Sequence, residues 1–165
     1  MSKYQQIDMI GGQAIDVNST TQEHQLGLCC KAVDMASTDY GVSEFIYLKG
    51  LASIAIGECC SYEEGDYQTV LAVANGVGSI AVAMAATVAS EYGWFQIKGR
   101  AVMLVAASFA ADLPGYLTAT PGTIDDAVVA GDRIHRCISF TAIATPAAGQ
   151  AEVNINYPFV NNIAD

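Results

Sequence analysis

The sequence predicts an all-β fold: a compact antiparallel β-barrel or sandwich of short strands. At most one or two short helical turns and an extended N-terminal arm accompany it. Three observations predict this. Turn signals recur densely, the segments between them run five to eight residues, and many of those segments alternate in polarity. The turn signals include "STDYG", "EEGD", "LPG", "TPGT" and "PAAG", all built on residues that favour reversals.

The elements follow in chain order. Residues 1–26 are rich in Gln, Asp, Ser and Thr and poor in large apolar side chains. Such a segment buries too little surface to fold alone, so it is expected as an extended arm, either a frayed terminus or a segment that becomes ordered on a neighbouring subunit. Residues 27–165 are expected to form the β domain. In "EFIYLK", Phe45, Tyr47 and Lys49 share one face, and Ile46 and Leu48 share the other. The stretch "ECCSYEEGDYQTVLAV" predicts a hairpin with Glu64-Gly65-Asp66 as its loop.

Val70 to Ala89 carries no charge over twenty residues, which is the length of a membrane-spanning helix. Three features oppose that reading. Asn75-Gly76 breaks the run, Ile80, Val82 and Met84 then alternate with alanines, and the preceding flank is acidic. Two strands joined by a turn are expected instead, buried against another sheet or another chain.

"YGWFQIKGRAVMLV" predicts a second hairpin reversing near Lys98-Gly99. "TIDD" predicts a short helical turn with Thr123 as N-cap and Asp126 three residues on, ended by Gly131. "AEVNINY" sets Val153, Ile155 and Tyr157 against Asn154 and Asn156.

Composition narrows the function. The formal net charge is −10, and the seven Lys and Arg residues are scattered. Neither nucleic acid nor an anionic membrane surface is an expected partner, because both are bound through clustered positive charge. Charged residues make up only 15% of the chain, against about a quarter in a usual soluble protein, which suits a surface buried on partners. The N-terminal residues do not read as an export signal, so the five cysteines are expected as reduced thiols in a cytosol.

No constellation of catalytic residues emerges. Cys29-Cys30 and Cys59-Cys60 are adjacent pairs, and adjacent strand residues point to opposite faces, so neither pair is expected to converge on a metal. They and Cys137 are expected as small packing residues. His24 and His135 lack a partnered nucleophile and are expected at the surface. Asp125, Asp126 and Asp132 cluster near the predicted helical turn; Asp126 is expected to cap it, and the other two to be solvated. No cofactor or metal is expected.

The fragments "EFIYLKGLASIAIGE", "IAVAMAATVASEYGWFQIKGRA", "TIDDAVVAGDR" and "AEVNINYPFV" resemble head decoration, or cement, proteins of tailed bacteriophages. The resemblance runs from about Gly41 to Val160, and its strongest parts are "YGWFQIKGRA" and "DDAVVAGDR". The cysteine doublets depart from it, since Val, Thr or Trp is more usual at such positions. The resemblance implies a β domain on the outer surface of an icosahedral capsid, bound where capsomers meet. Its partners would be the major capsid protein and itself, as a trimer more than a dimer, and its location the virion surface.

The expected interface residues are Tyr92, Trp94 and Phe95, together with Met9 and Ile10 of the arm. Two alternatives stand beside this reading. One is another virion component, such as a tail or head-fibre base. The other is a carbohydrate- or ligand-binding module, which requires an exposed aromatic platform; Trp94 with Tyr92 and Phe95 is the candidate, although core or interface packing suits Trp94 better. An enzyme is the weakest option.

Overall fold

The computed structural model describes residues 4–8, 12–50 and 53–163. Met9 and Ile10 lie outside the described residues. Strands are the regular elements throughout: β1 (Tyr4–Gln6), β2 (Cys29–Asp34), β3 (Val42–Gly50), β4 (Cys59–Tyr62), β5 (Gln68–Leu71), β6 (Gly78–Ala83), β7 (Tyr92–Leu104), β8 (Pro114–Leu117), β9 (Ile124–Asp125), β10 (Arg133–Ser139) and β11 (Gln150–Val160). The fold is all-β, as the sequence predicts.

All eleven strands join one sheet, in the order β1-β2-β3-β5-β4-β6-β7-β11-β10-β8-β9. The sheet curls into two small rings. The first is β3-β5-β4-β6-β7, because β7 also pairs with β3. The second is β7-β11-β10-β8-β9, joined back to the β7 end through a bridge between Val105 and Ile124. Each ring has five members. An odd ring cannot alternate direction all the way round, so one contact in each must be parallel. Those contacts are β3–β5 in the first ring and Val105–Ile124 in the second. The sheet is therefore mixed, where a wholly antiparallel one was expected.

Three cores result. Ile46, Leu48, Cys60, Ala81, Ala83, Phe95 and Ile97 fill the first ring. Ala101, Met103, Leu117, Ile124, Ile134, Val153 and Ile155 are among those filling the second. β6 serves both: Ala81 and Ala83 face the first core, and Ile80 and Val82 face the second. The uncharged run is thus the end of β5, a turn with Asn75 at φ 66°, and a strand buried on both faces. β5 and β6 do not pair with each other; they flank β4.

β7 corrects a second expectation. It runs unbroken from Tyr92 to Leu104 with no reversal at Lys98-Gly99. Its first half pairs with β3 and its second half with β11, so each half already has a partner elsewhere in the chain. Just before Gly99, the β3–β7 register shifts by one residue at Ile97, which lies between the Phe45–Gln96 and Glu44–Lys98 pairs. Gly99 sits at φ +108°, and a Cβ there would lie 2.4 Å from Ser43 Oγ. The glycine answers to a left-handed backbone and the close approach of Ser43, not to a chain reversal.

Thr123 begins no helical turn. Ile124 and Asp125 form β9, whose backbone pairs with β8. The hairpin at Glu64-Gly65-Asp66 is present, with Tyr62 opposite Thr69.

The third core corrects the arm. Ile15 is buried with Cys30, Ala32, Phe45, Tyr47 and Trp94 on the outside of the first ring. Gln13 fastens the segment: its carbonyl accepts the Trp94 Nε1–H at 2.9 Å, and its Oε1 accepts the Tyr47 hydroxyl at 2.7 Å. Ser19 forms a bridge with Tyr92. Residues 12–26 therefore cover the chain's own sheet, and a domain boundary at 26/27 cuts through a core. Amide side chains acting as backbone-like hydrogen-bonding groups make this possible in so polar a segment.

Candidate functional site

Of the expected interface residues, Met9 and Ile10 lie outside the described residues, and Tyr92, Trp94 and Phe95 are largely covered by the chain itself. Trp94 and Phe95 are each 1% exposed, Trp94 beneath the N-terminal segment and Phe95 inside the first ring. Tyr92 is half-buried beside Trp94. Gly93 to Ile97 of β7 are buried on both faces, so the aromatics of that half meet the chain's own core.

The cysteine doublets split across faces as the alternation predicts. Cys59 faces the second core and Cys60 the first, while Cys30 is buried and Cys29 exposed. Burial pushes the Cys30 and Cys137 thiols up to about 12 and raises Cys59 and Cys60 as well. Partial burial and the nearby Glu44 raise Cys29. A raised thiol is a poor source of thiolate.

His24 is not a free surface group. Its Nε2 accepts the Gln13 amide at 3.0 Å, and its ring stands edge-on to Tyr47. His135 stacks on Phe159 with centroids 4.8 Å apart. The three aspartates hold loops. Asp126 Oδ2 accepts the Ala110 amide and Asp125 Oδ1 the Asp126 amide. Asp132, expected in solvent, is 2% exposed and accepts the Asn75 amide.

Two surface features remain, and both grow from the strand pattern. The first is the outward face of the β7–β11 ladder. Lys98 pairs with Asn156 and Arg100 with Asn154 across it. Lys98 Nζ lies 2.9 Å from Glu44 Oε1, and the Tyr157 hydroxyl donates to the other Glu44 oxygen. Those two donors hold the Glu44 carboxyl below its ordinary value, and the same bond pushes the Tyr157 phenol up to about 12.

Arg100 is held by three contacts. Its Nε lies 3.3 Å from Glu152 Oε2, its Nη1 donates to the Asp39 carbonyl at 3.3 Å, and its guanidinium sits 3.5 Å from the centre of the Phe140 ring. Tyr40 closes the group by donating to Glu152 Oε1 at 2.8 Å. Burial and that bond push the Tyr40 phenol up to about 12. Asp39, Tyr40, Lys98, Arg100 and Phe140 border an open depression of about 500 Å³. Beyond Tyr40 lies a deeper cleft of about 600 Å³, lined by Ile56, Met84, Val102 and Pro146, with buried Gln96 among its lining residues.

The second feature is an apolar groove of about 350 Å³ on β4 and β5. Val70, Leu71, Val73 and Val77 line it with Tyr62, and Glu63 and Asp66 rim it. Val70 is 45% and Val77 61% exposed. Sequence reasoning missed both features. The signals were present in "KGR" opposite "NIN" and in the valines of the uncharged run, but which strands lie side by side is not a local property.

No protein-family model matches the chain, and no curated protein matches it.

Proposed function

We propose that the chain is a structural virion protein that binds the outer surface of an icosahedral tailed-phage capsid at capsomer junctions and stabilises the mature shell. The observation that carries this reading is the apolar groove of Val70, Leu71, Val73 and Val77 with its acidic rim. Contiguous exposed apolar surface rimmed by polar residues marks protein contact sites. The acidic rim selects a partner segment that is apolar in the middle and basic at its flanks. The major capsid protein is the proposed source of that segment, on the strength of the fragments that resemble decoration proteins. A net charge of −10 supports the reading, since an outer-shell protein must not bind the packaged DNA.

The mechanism is mass action. A ligand that binds the assembled lattice and not its separated subunits stabilises the lattice by about 2.7 kcal/mol per site at a hundredfold excess over Kd. Self-association as a homotrimer would tie neighbouring capsomers together through avidity.

Cosedimentation with undecorated, expanded capsids tests the proposal. The chain is expected to pellet saturably, and Val77→Asp and Val73→Asp to weaken pelleting at least about tenfold by burying an unpaired charge. A chain that stays in the supernatant, or aspartate variants that pellet normally, would overturn it.

A further inference from the structure

We propose that the cleft beside β7, where the two rings meet, binds a small organic cation: an apolar body ending in an ammonium group. This goes beyond the capsid-binding reading and uses a different surface. The cleft of about 600 Å³ falls within the range of about 300–1,000 Å³ usual for small-ligand sites. β7 lines it from both of its halves, with Gln96 from the half paired to β3 and Val102 from the half paired to β11. Ile56, Met84 and Pro146 join Val102 in an apolar wall that suits a hydrocarbon body.

Gln96 is the polar group of that wall. It is 1% exposed, and its amide nitrogen donates to Ser43 Oγ at 3.1 Å and to the Lys98 and Arg100 carbonyls at 3.2 and 3.1 Å. Carbonyls only accept, so they fix which end of the amide is the nitrogen. The nitrogen is spent on the protein, and the oxygen is left to the cleft. Among the described residues that oxygen accepts no hydrogen bond. A buried acceptor without a donor costs free energy that a ligand N–H recovers.

Asp16 sets the sign of the charge. It is the one acidic or basic residue lining the cleft, and among the described residues its carboxylate has no hydrogen-bond or ion-pair partner. Tyr40 and Gln150, which also line the cleft, are neutral at pH 7, the Tyr40 phenol being pushed up to about 12. Arg100, beside Tyr40, is committed to Glu152. An ammonium group answers both the amide oxygen and the carboxylate, since it is a donor with a positive charge. The net charge of −10 also favours the approach of cations. The segment that carries Asp16 is placed before any ligand arrives: the Val17 amide closes a turn on the Ala14 carbonyl at 3.3 Å, and the Asn18 side chain donates to the carbonyl of Ala86, itself a lining residue. Such preorganisation lowers the entropic cost of binding.

The test is an NMR titration of the isotope-labelled full chain with probes that share one body and differ in the head group: phenethylamine, phenethyl alcohol, ethylbenzene and hydrocinnamate. Phenethylamine is expected to shift resonances around the cleft saturably and to bind at least about tenfold more tightly than ethylbenzene or hydrocinnamate, with the alcohol between. Asp16→Asn is expected to weaken phenethylamine severalfold, leave the alcohol unchanged and keep the melting midpoint. Added salt should weaken phenethylamine in the same way, since Asp16 is exposed. Ala86→Trp, which fills the cleft from an exposed position, is expected to abolish binding of every probe, and Val77→Asp to bind normally, which separates this site from the proposed capsid contact. Absence of saturable shifts with phenethylamine, equal affinity for hydrocinnamate or ethylbenzene, or undiminished phenethylamine binding by Asp16→Asn would overturn the proposal. Because Asp16 is exposed, its variant decides the matter even if Ala86→Trp misfolds.

Discussion

Gln13 shows how one side chain places a segment. It bonds Tyr47 through its side chain and Trp94 through its carbonyl, and together these seat residues 12–26 on the third core. Gln13→Ala is expected to cost about 1–3 kcal/mol, read as a lower denaturant midpoint, because partly buried hydrogen-bonding groups lose their partner. Gly99→Ala should cost a similar amount, since φ +108° strains any L side chain and the added methyl meets Ser43. The thiols predict a pH effect. Their folded values are raised above the ordinary 9.0, so the fold favours the neutral form. That contribution is fully present below pH 9 and is lost as pH rises toward 12. Thermal midpoints are therefore expected to fall across that window, with Tyr40 and Tyr157 adding to the loss from pH 10 upward. In the native state a thiol reagent should label exposed Cys29 faster than the four buried cysteines, though more slowly than a free thiol because its pKa is raised. That the doublets would split across faces was legible, because alternation is a local property of strands. That Trp94 would pack in a core or interface was legible too, but not that its cover would come from Gln13, eighty-one residues away in the chain.

At the scale of elements, legibility followed sequence separation. The β4–β5 hairpin was readable because its turn and both strands lie in one stretch. The same logic failed at Lys98-Gly99, where a turn-forming pair sits inside β7 because β3 and β11 supply the pairing instead. It failed again at Thr123, where β8 draws Ile124 and Asp125 into a strand that the local capping pattern does not encode. The ring closures are the thinnest joints. β3 meets β5 through two residue pairs, and the second ring closes on one bridge, whereas β7 and β11 share seven. Amide exchange is expected to be fastest at Gln68, Thr69 and Ile124 among strand residues and slowest along the centre of β7 and β11. Uniform protection across all strands would contradict this description of the rings.

For the whole molecule, the sequence specified an all-β chain with an acidic, sparsely charged surface, and the structure has that form. It did not specify the two rings, because a ring depends on which distant strands meet. The uncharged run from Val70 to Ala89 links the levels: its inner residues build two cores, and its outer valines make the proposed contact groove. The measurement that bears most directly on that contact is a cryo-EM reconstruction of expanded phage capsids incubated with the purified chain. The account predicts added density on the outer surface at capsomer junctions, with the β4–β5 face turned toward the shell. A reconstruction without added density, or with the chain inside the shell, would contradict it.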